Sequence, residues 1–295
     1  MKNTVFTGAG VAIVTPMYDD LSINFTKLGE LINFNIENGT QAIVICGTTG
    51  ESSTMTDEEH IECIRFAVKH VNKRVPVIAG TGSNHTDYAI TLSKEAEEAG
   101  ADALLVVTPY YNKTSQAGLI SHFYAIADSV NIPIILYNVP SRTGMTINVD
   151  TYVELAKHKN IVATKEASGN ISAIAQIIAV CGDNLDVYSG NDDQIIPIMA
   201  LGGKGVISVL SNCMPKETQE ICSFCLDNNF HDASKLAIEL LEFTNDLFID
   251  VNPIPVKEAL NLMGVNVGKT RMPLVPLSEK ARETLKASMD RINLL

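Results

Sequence analysis

A lysine ends one of the most strand-like stretches of the chain, Ile161-Val162-Ala163-Thr164-Lys165, and the pattern breaks at Gly169 soon after it. Apolar, β-favouring runs of this kind make buried strands, so Lys165 should sit at a strand tip, partly withdrawn from water. An amine placed there can hold its unprotonated form and attack a carbonyl carbon. A lone lysine at a strand end more often just pairs with a carboxylate, so its company decides the reading. Gly47-Thr48-Thr49-Gly50-Glu51 offers backbone N–H groups and two hydroxyls, a cradle suited to a carboxylate. Tyr137-Asn138-Val139-Pro140-Ser141-Arg142-Thr143-Gly144 supplies a phenol able to relay a proton and a guanidinium whose planar fork matches a carboxylate. Thr108-Pro109-Tyr110-Tyr111-Asn112 adds two phenols, and Tyr188-Ser189-Gly190-Asn191-Asp192-Asp193 a glycine past which a ligand can approach the backbone. Taken singly, these are a Gly/Thr turn and amphipathic rim tyrosines. Together, an amine, phenols, a carboxylate cradle and an arginine suit imine chemistry on a keto acid.

Other chemistries lack their parts. The six histidines form no HExxH or other ligand cluster, and Cys222-Ser223-Phe224-Cys225 has no second pair or histidine at zinc spacing, so no metal is expected. There is no Walker loop and no Gly-x-Gly-x-x-Gly turn, and Gly202-Gly203-Lys204-Gly205 precedes a strand, as an ordinary turn would; no cofactor is expected. A net charge of −12 without a basic cluster argues against nucleic acid and anionic membranes, and requires that an anionic substrate be met by local donors. No apolar stretch of about 20 residues is present, and the first residues run into strand-like sequence without a signal-peptide pattern. Six scattered cysteines in a chain too large to need staples point to a reducing, cytoplasmic setting.

The elements that must position these groups recur in order. Short apolar runs at 10–16, 42–47, 75–80, 103–108, 133–138, 161–165, 185–189 and 205–209 alternate with stretches of helical period, one of which opens on the capping box of Thr56 and Glu59. Eight strand and helix repeats with nearly continuous apolar strands predict an α/β fold, a parallel (β/α)8 TIM barrel; a doubly wound open sheet fits the even spacing less well. In such a barrel the working groups belong at the C-terminal strand ends, where these motifs fall. Past Pro215 the strands stop, and segments 216–226, 231–250, 255–262 and 278–293 read as helices. The expected organisation is a catalytic barrel over 1–214 with a helical extension, 215–295, packed on it.

Gly47-Thr48-Thr49-Gly50-Glu51, Tyr137-Asn138-Val139-Pro140, Ser141-Arg142-Thr143-Gly144, Lys165-Glu166-Ala167 and Gly205-Val206-Ile207-Ser208-Val209 together closely resemble the pyruvate-dependent class I aldolase family, and within it the lysine-biosynthetic branch. The resemblance runs from about Gly8 to the C-terminus and includes Asn252-Pro253-Ile254-Pro255-Val256-Lys257. It implies that Lys165 forms a Schiff base with pyruvate, whose carboxylate sits on Thr48 and Thr49. It assigns a proton relay to Tyr137, Thr49 and Tyr111, the last reaching into a neighbouring subunit's site in a homodimer that pairs into a tetramer. Arg142 would hold the carboxylate of (S)-aspartate 4-semialdehyde, with Gly190 and Ile207 giving backbone contacts near the imine. The implied reaction opens the diaminopimelate route to L-lysine. The alternatives are a sister lyase acting on a sugar acid such as N-acetylneuraminate or 2-keto-3-deoxygluconate, and a non-catalytic pyruvate-binding homologue. Lysine-inhibited members carry a histidine and a glutamate where this chain has Asp57 and Tyr88. Ser53, His60, Asn84 and Tyr110 would complete such a pocket, and without the glutamate inhibition by L-lysine is expected to be weak or absent.

Overall fold

The computed structural model describes residues 2–295. Eight strands, β1 (Gly8–Ala12), β2 (Ala42–Ile45), β3 (Val77–Gly80), β4 (Ala103–Val107), β5 (Ile134–Asn138), β6 (Ile161–Glu166), β7 (Asp186–Ser189) and β8 (Gly205–Ser208), follow one another round a closed parallel barrel. Its helices in chain order are α1 (Phe25–Glu37), α2 (Asp57–Val71), α3 (Thr86–Glu98), α4 (Gln116–Asp128), α5 (Pro140–Thr143), α6 (Val149–Leu155), α7 (Ile171–Cys181), α8 (Ile195–Ala200), α9 (Pro215–Leu226), α10 (Phe230–Glu239), α11 (Leu241–Asp246), α12 (Ile254–Leu262) and α13 (Glu279–Arg291). This is the TIM barrel that the sequence predicts.

Why the strands read as unbroken apolar runs follows from burial on both faces. Ala12, Val44, Ile78, Leu105 and Ala163 fill the barrel, while Val11, Ile43, Ala79, Val106 and Leu136 face the helices in a second cluster. Each fully buried aliphatic side chain contributes roughly 1.5–3 kcal/mol. The N-terminal mouth is plugged by Phe6, whose ring stacks on Tyr188 at 4.3 Å, with the Tyr188 hydroxyl donating to the Phe6 carbonyl at 2.6 Å. Barrel enzymes react at the other end, so this plug closes the face that chemistry does not use. The capping box at α2 is present: Glu59 N donates to Thr56 Oγ1 at 3.2 Å and Thr56 N to Glu59 Oε2 at 3.1 Å. Among the described residues, no helix is long and apolar enough to cross a membrane.

Three expectations change in detail. The first strand spans Gly8–Ala12 and not 10–16, because Gly8 and Ala9 pair with Gly205 and Val206 of β8 to close the barrel. Beyond Ala12 one more backbone bond, Ile13 N to the Val44 carbonyl at 3.1 Å, is followed by a side-chain contact, Val14 N donating to Asn212 Oδ1 at 3.0 Å. The single helix at 231–250 is two, α10 and α11, with turns after Asp246; a residue preceding proline disfavours helix, and Asn252 precedes Pro253. Finally, α9 packs on β1 and β8 in the eighth outer position of the barrel, so a boundary at 214/215 leaves the barrel's own last helix to the extension.

Candidate active site

The register of the parallel sheet sets the centre of the site. Tyr137 on β5 pairs with Lys165 on β6, and Lys165 in turn with Tyr188 on β7. Side chains at equal positions on neighbouring strands point the same way, so the Lys165 Nζ stands 4.4 Å from the centroid of the Tyr137 ring. Lys165 is only 6% exposed, and Tyr137 is buried beside it. An ammonium over a phenol ring is attracted to its face, and the free amine packs there as well.

The next residue on β6 points outward and anchors the strand end. Glu166 accepts from Asn138 Nδ2 at 2.9 Å, from Ser168 Oγ at 2.7 Å and from the Tyr152 hydroxyl. Burial pushes the Glu166 carboxyl above its ordinary range, and the bonds from Tyr152, Ser168 and Asn138 pull it back. Asn138 also accepts from Ile147 N at 3.2 Å, folding the loop that carries Arg142 back onto the barrel.

A cavity of about 220 Å3 opens at the C-terminal strand ends, with Lys165, Tyr137, Thr48, Thr49, Arg142 and Gly190 in its wall. Thr48 and Thr49 lie in a tight turn, Gly50 N donating to the Gly47 carbonyl at 3.1 Å, entered through Cys46 with φ +56°. A non-glycine residue there is strained, which fits a turn aimed at a ligand. Gly80 makes this close approach feasible: a Cβ on it would stand 2.2 Å from the Cys46 carbonyl oxygen. At Gly190 a Cβ would lie 2.7 Å from that of Ala167 beside the lysine strand. Behind it, buried Asp192 accepts from Val209 N and Leu210 N, both at 3.0 Å, and fixes the end of β8; burial raises its carboxyl above the ordinary range.

Two named residues lie elsewhere. Ile207 is fully buried inside the barrel, and the cavity wall at that strand end is formed by Val209. Tyr111 is 91% exposed, with φ +67°, and points out of its own chain's cavity. A second cavity, about 400 Å3, adjoins the first and shares Thr48 and Arg142 with it. Ser53, His60, Tyr88 and Tyr110 line it, and Asp57 and Asn84 do not. Asp57 accepts from the Tyr88 hydroxyl, and burial together with that carboxylate pushes the phenol up to about 12. Asn84 bonds the Tyr110 carbonyl at 3.1 Å.

Sequence reasoning missed the part played by the C-terminal extension. Phe248 and Asn252 form part of the catalytic-end cavity. Asn252 Nδ2 donates to Thr49 Oγ1 at 2.9 Å, and Arg142 Nη2 donates to the Asn252 carbonyl at 3.2 Å. Lys257 and Glu51, both buried, pair at 2.9 Å; Lys257 donates as well to the carbonyls of Thr15 and Lys269, at 3.1 and 2.6 Å. Burial lowers the Lys257 amine below its usual range and the Glu51 carboxylate raises it in part. Arg271 N also donates to Glu51 at 2.9 Å, while its guanidinium grips both oxygens of Glu59 at 2.6 Å. The Asn252-Pro253-Ile254-Pro255 stretch was the only signal. Among the described residues no group of three or more His, Cys, Asp or Glu is placed to hold a metal ion.

With this geometry in place, residues 5–292 match the model of the Dihydrodipicolinate synthetase family. The chain belongs to that family. A 4-hydroxy-tetrahydrodipicolinate synthase of Caldicellulosiruptor bescii is 56% identical over 97% of both chains. A chloride-inhibited dihydrodipicolinate synthase of Acinetobacter baumannii, solved in complex with pyruvate, is 44% identical, with a TM-score of 0.97 over 99% of this chain and all of that one. A dihydrodipicolinate synthase described as a monomeric variant is 39% identical, with a TM-score of 0.96 over 99% of this chain and 98% of its own.

Proposed function

We propose that this chain is a 4-hydroxy-tetrahydrodipicolinate synthase, a lyase of class I aldolase type that joins pyruvate to (S)-aspartate 4-semialdehyde in L-lysine biosynthesis. Relatives bearing that name are more than half identical over nearly the full chain. The observation that supports the chemistry most is the register pair Tyr137 and Lys165 at a cavity that also holds the Thr48-Thr49 turn and Arg142.

The steps follow from these groups. The unprotonated Lys165 amine attacks C2 of pyruvate, and the carbinolamine loses water, with Tyr137 supplying and recovering the proton. The pyruvate carboxylate rests on the Thr48-Thr49 turn. The protonated imine withdraws electrons, a methyl proton leaves, and the enamine carbon bonds to the aldehyde carbon, whose oxygen takes up a proton. The substrate's amine then attacks the imine carbon and expels Lys165, closing the ring. Arg142 holds the semialdehyde carboxylate through charge-assisted bonds. Lys165 itself is the covalent group, so the reading calls for no metal or cofactor. Tyr111, exposed on its own chain, serves a neighbour's site, in a dimer that pairs into a tetramer. Six free and buried cysteines fit a reducing cytoplasm.

Since Asp57 is engaged by Tyr88, the adjoining cavity offers no free carboxylate from that pair to an inhibitor's ammonium. L-Lysine is therefore expected to inhibit weakly or not at all, and near-complete inhibition at submillimolar lysine would refute this. The reaction itself is tested by pyruvate consumption in the presence of (S)-aspartate 4-semialdehyde, with Lys165→Ala as control. Turnover that vanishes in the control supports the assignment. A sugar-acid lyase would instead cleave N-acetylneuraminate or 2-keto-3-deoxygluconate and leave the semialdehyde untouched.

A further inference from the structure

Asn252 begins the Asn-Pro-Ile-Pro-Val-Lys stretch, which has no part in the steps above. It is 6% exposed, lines the cavity, and brings three polar groups to it from the extension. Its Nδ2 donates to Thr49 Oγ1 at 2.9 Å, and its main-chain oxygen accepts from Arg142 Nη2 at 3.2 Å. Its Oδ1 is buried and has no partner. A buried acceptor left unpaired costs on the order of 1–3 kcal/mol. Turning the amide over would let the Thr49 hydroxyl donate to Oδ1 but would bury an N–H without an acceptor in its place. The arrangement found uses a lone pair of the Thr49 oxygen and leaves the hydroxyl proton free for another acceptor.

We propose that Asn252 is a positioning residue that sets the polarity of the proton relay. With its oxygen occupied by the Asn252 N–H, Thr49 keeps its hydroxyl proton to give to the Tyr137 oxygen once pyruvate is bound. The phenol's own proton is then directed to the departing hydroxyl of the carbinolamine on Lys165. The same residue steadies Arg142 through its main chain, so the segment between α11 and α12 completes a site whose other parts lie in the barrel. This rests on the imine reading of the site.

The test uses the full-length enzyme with pyruvate alone, following exchange of the pyruvate methyl hydrogens with D2O, together with borohydride trapping and the KM for the semialdehyde. Asn252→Asp is near-isosteric but presents acceptors to Thr49, and Asn252→Ala removes the donor without adding charge. Each should slow exchange by about tenfold or more, within the range general acid–base contributions span. The semialdehyde KM should hold within about twofold, because the main-chain oxygen that binds Arg142 remains. Since Asn252 acts through Thr49, neither change should slow a Thr49→Val enzyme further. Exchange near the wild-type rate in both variants, or losses that multiply in the Thr49→Val background, would overturn the proposal. If the wild-type enzyme neither exchanges nor traps pyruvate, the imine reading itself fails and takes this proposal with it. If the wild type traps pyruvate and the variants exchange normally, only the role of Asn252 falls.

Discussion

Lys165 and Tyr137 are neighbours because two parallel strands in register place equal positions side by side, and both were legible in the sequence for one reason: each is a polar group ending an apolar run. Thr48, Thr49 and Arg142 were legible as the residues that follow such runs. Asn252 was not, because no local pattern announces a contact made to Thr49 from the far end of the chain. Glu166 was seen only as part of a motif, and its role as the anchor behind Lys165 depends on Tyr152, Ser168 and Asn138 arriving from three directions. At this scale Arg142 separates the substrates. Arg142→Ala should lower kcat/KM for (S)-aspartate 4-semialdehyde by about 10- to 100-fold, the loss of a charge-assisted bond worth about 1.5–3 kcal/mol, with the KM for pyruvate little changed. Steady-state kinetics with each substrate varied checks this, and an unaffected variant would favour a sugar-acid substrate.

Elements are held to one another by a few buried polar contacts. Lys257 on α12 reaches the loop after β2 through Glu51, a pairing that fixes the base of the Thr48-Thr49 turn from the extension. Lys257→Met leaves Glu51 buried without its cation and should cost about 3–5 kcal/mol, read as a lowered urea midpoint; adding Glu51→Gln should recover part of it. Between α3 and α4, His122 Nδ1 bonds Thr86 Oγ1 at 2.9 Å, and burial pushes the imidazole down to about 4. Unfolded, it titrates near 6.5. Between those values the unfolded chain binds a proton that the folded chain refuses, so this group's contribution is whole above pH 6.5, falls as pH drops toward 4, and changes no further below. Unfolding midpoints across that range should decline, and His122→Gln should flatten the decline. The barrel elements were foreseeable because their apolar period is regular. The break between α10 and α11 was not, since helical spacing continues through Leu240 and no proline or glycine falls between His231 and Asn252 to mark it.

For the whole molecule, the closed sheet and its outer helices were legible, and the way the extension folds back over the catalytic end was not. The net charge of −12 repels anionic substrates at long range, which leaves attraction to Lys165 and Arg142 at the cavity itself. Tyr111 stands 91% exposed at that end, where a second subunit would bring it into use. Neither Tyr111→Phe nor Lys165→Ala should be fully active alone. Co-refolded, they should regain activity, because a hybrid dimer has one site combining an intact Lys165 with the neighbour's intact Tyr111. Activity no greater than the sum of the separate variants would place Tyr111 outside the neighbour's site.

An imine between pyruvate and Lys165 would be fixed by borohydride reduction in the presence of pyruvate and located by peptide mass spectrometry. One pyruvate-derived adduct per chain is expected, on the peptide carrying Lys165, and none in Lys165→Ala. An adduct on another lysine, or no adduct in an enzyme that still consumes pyruvate, would contradict it.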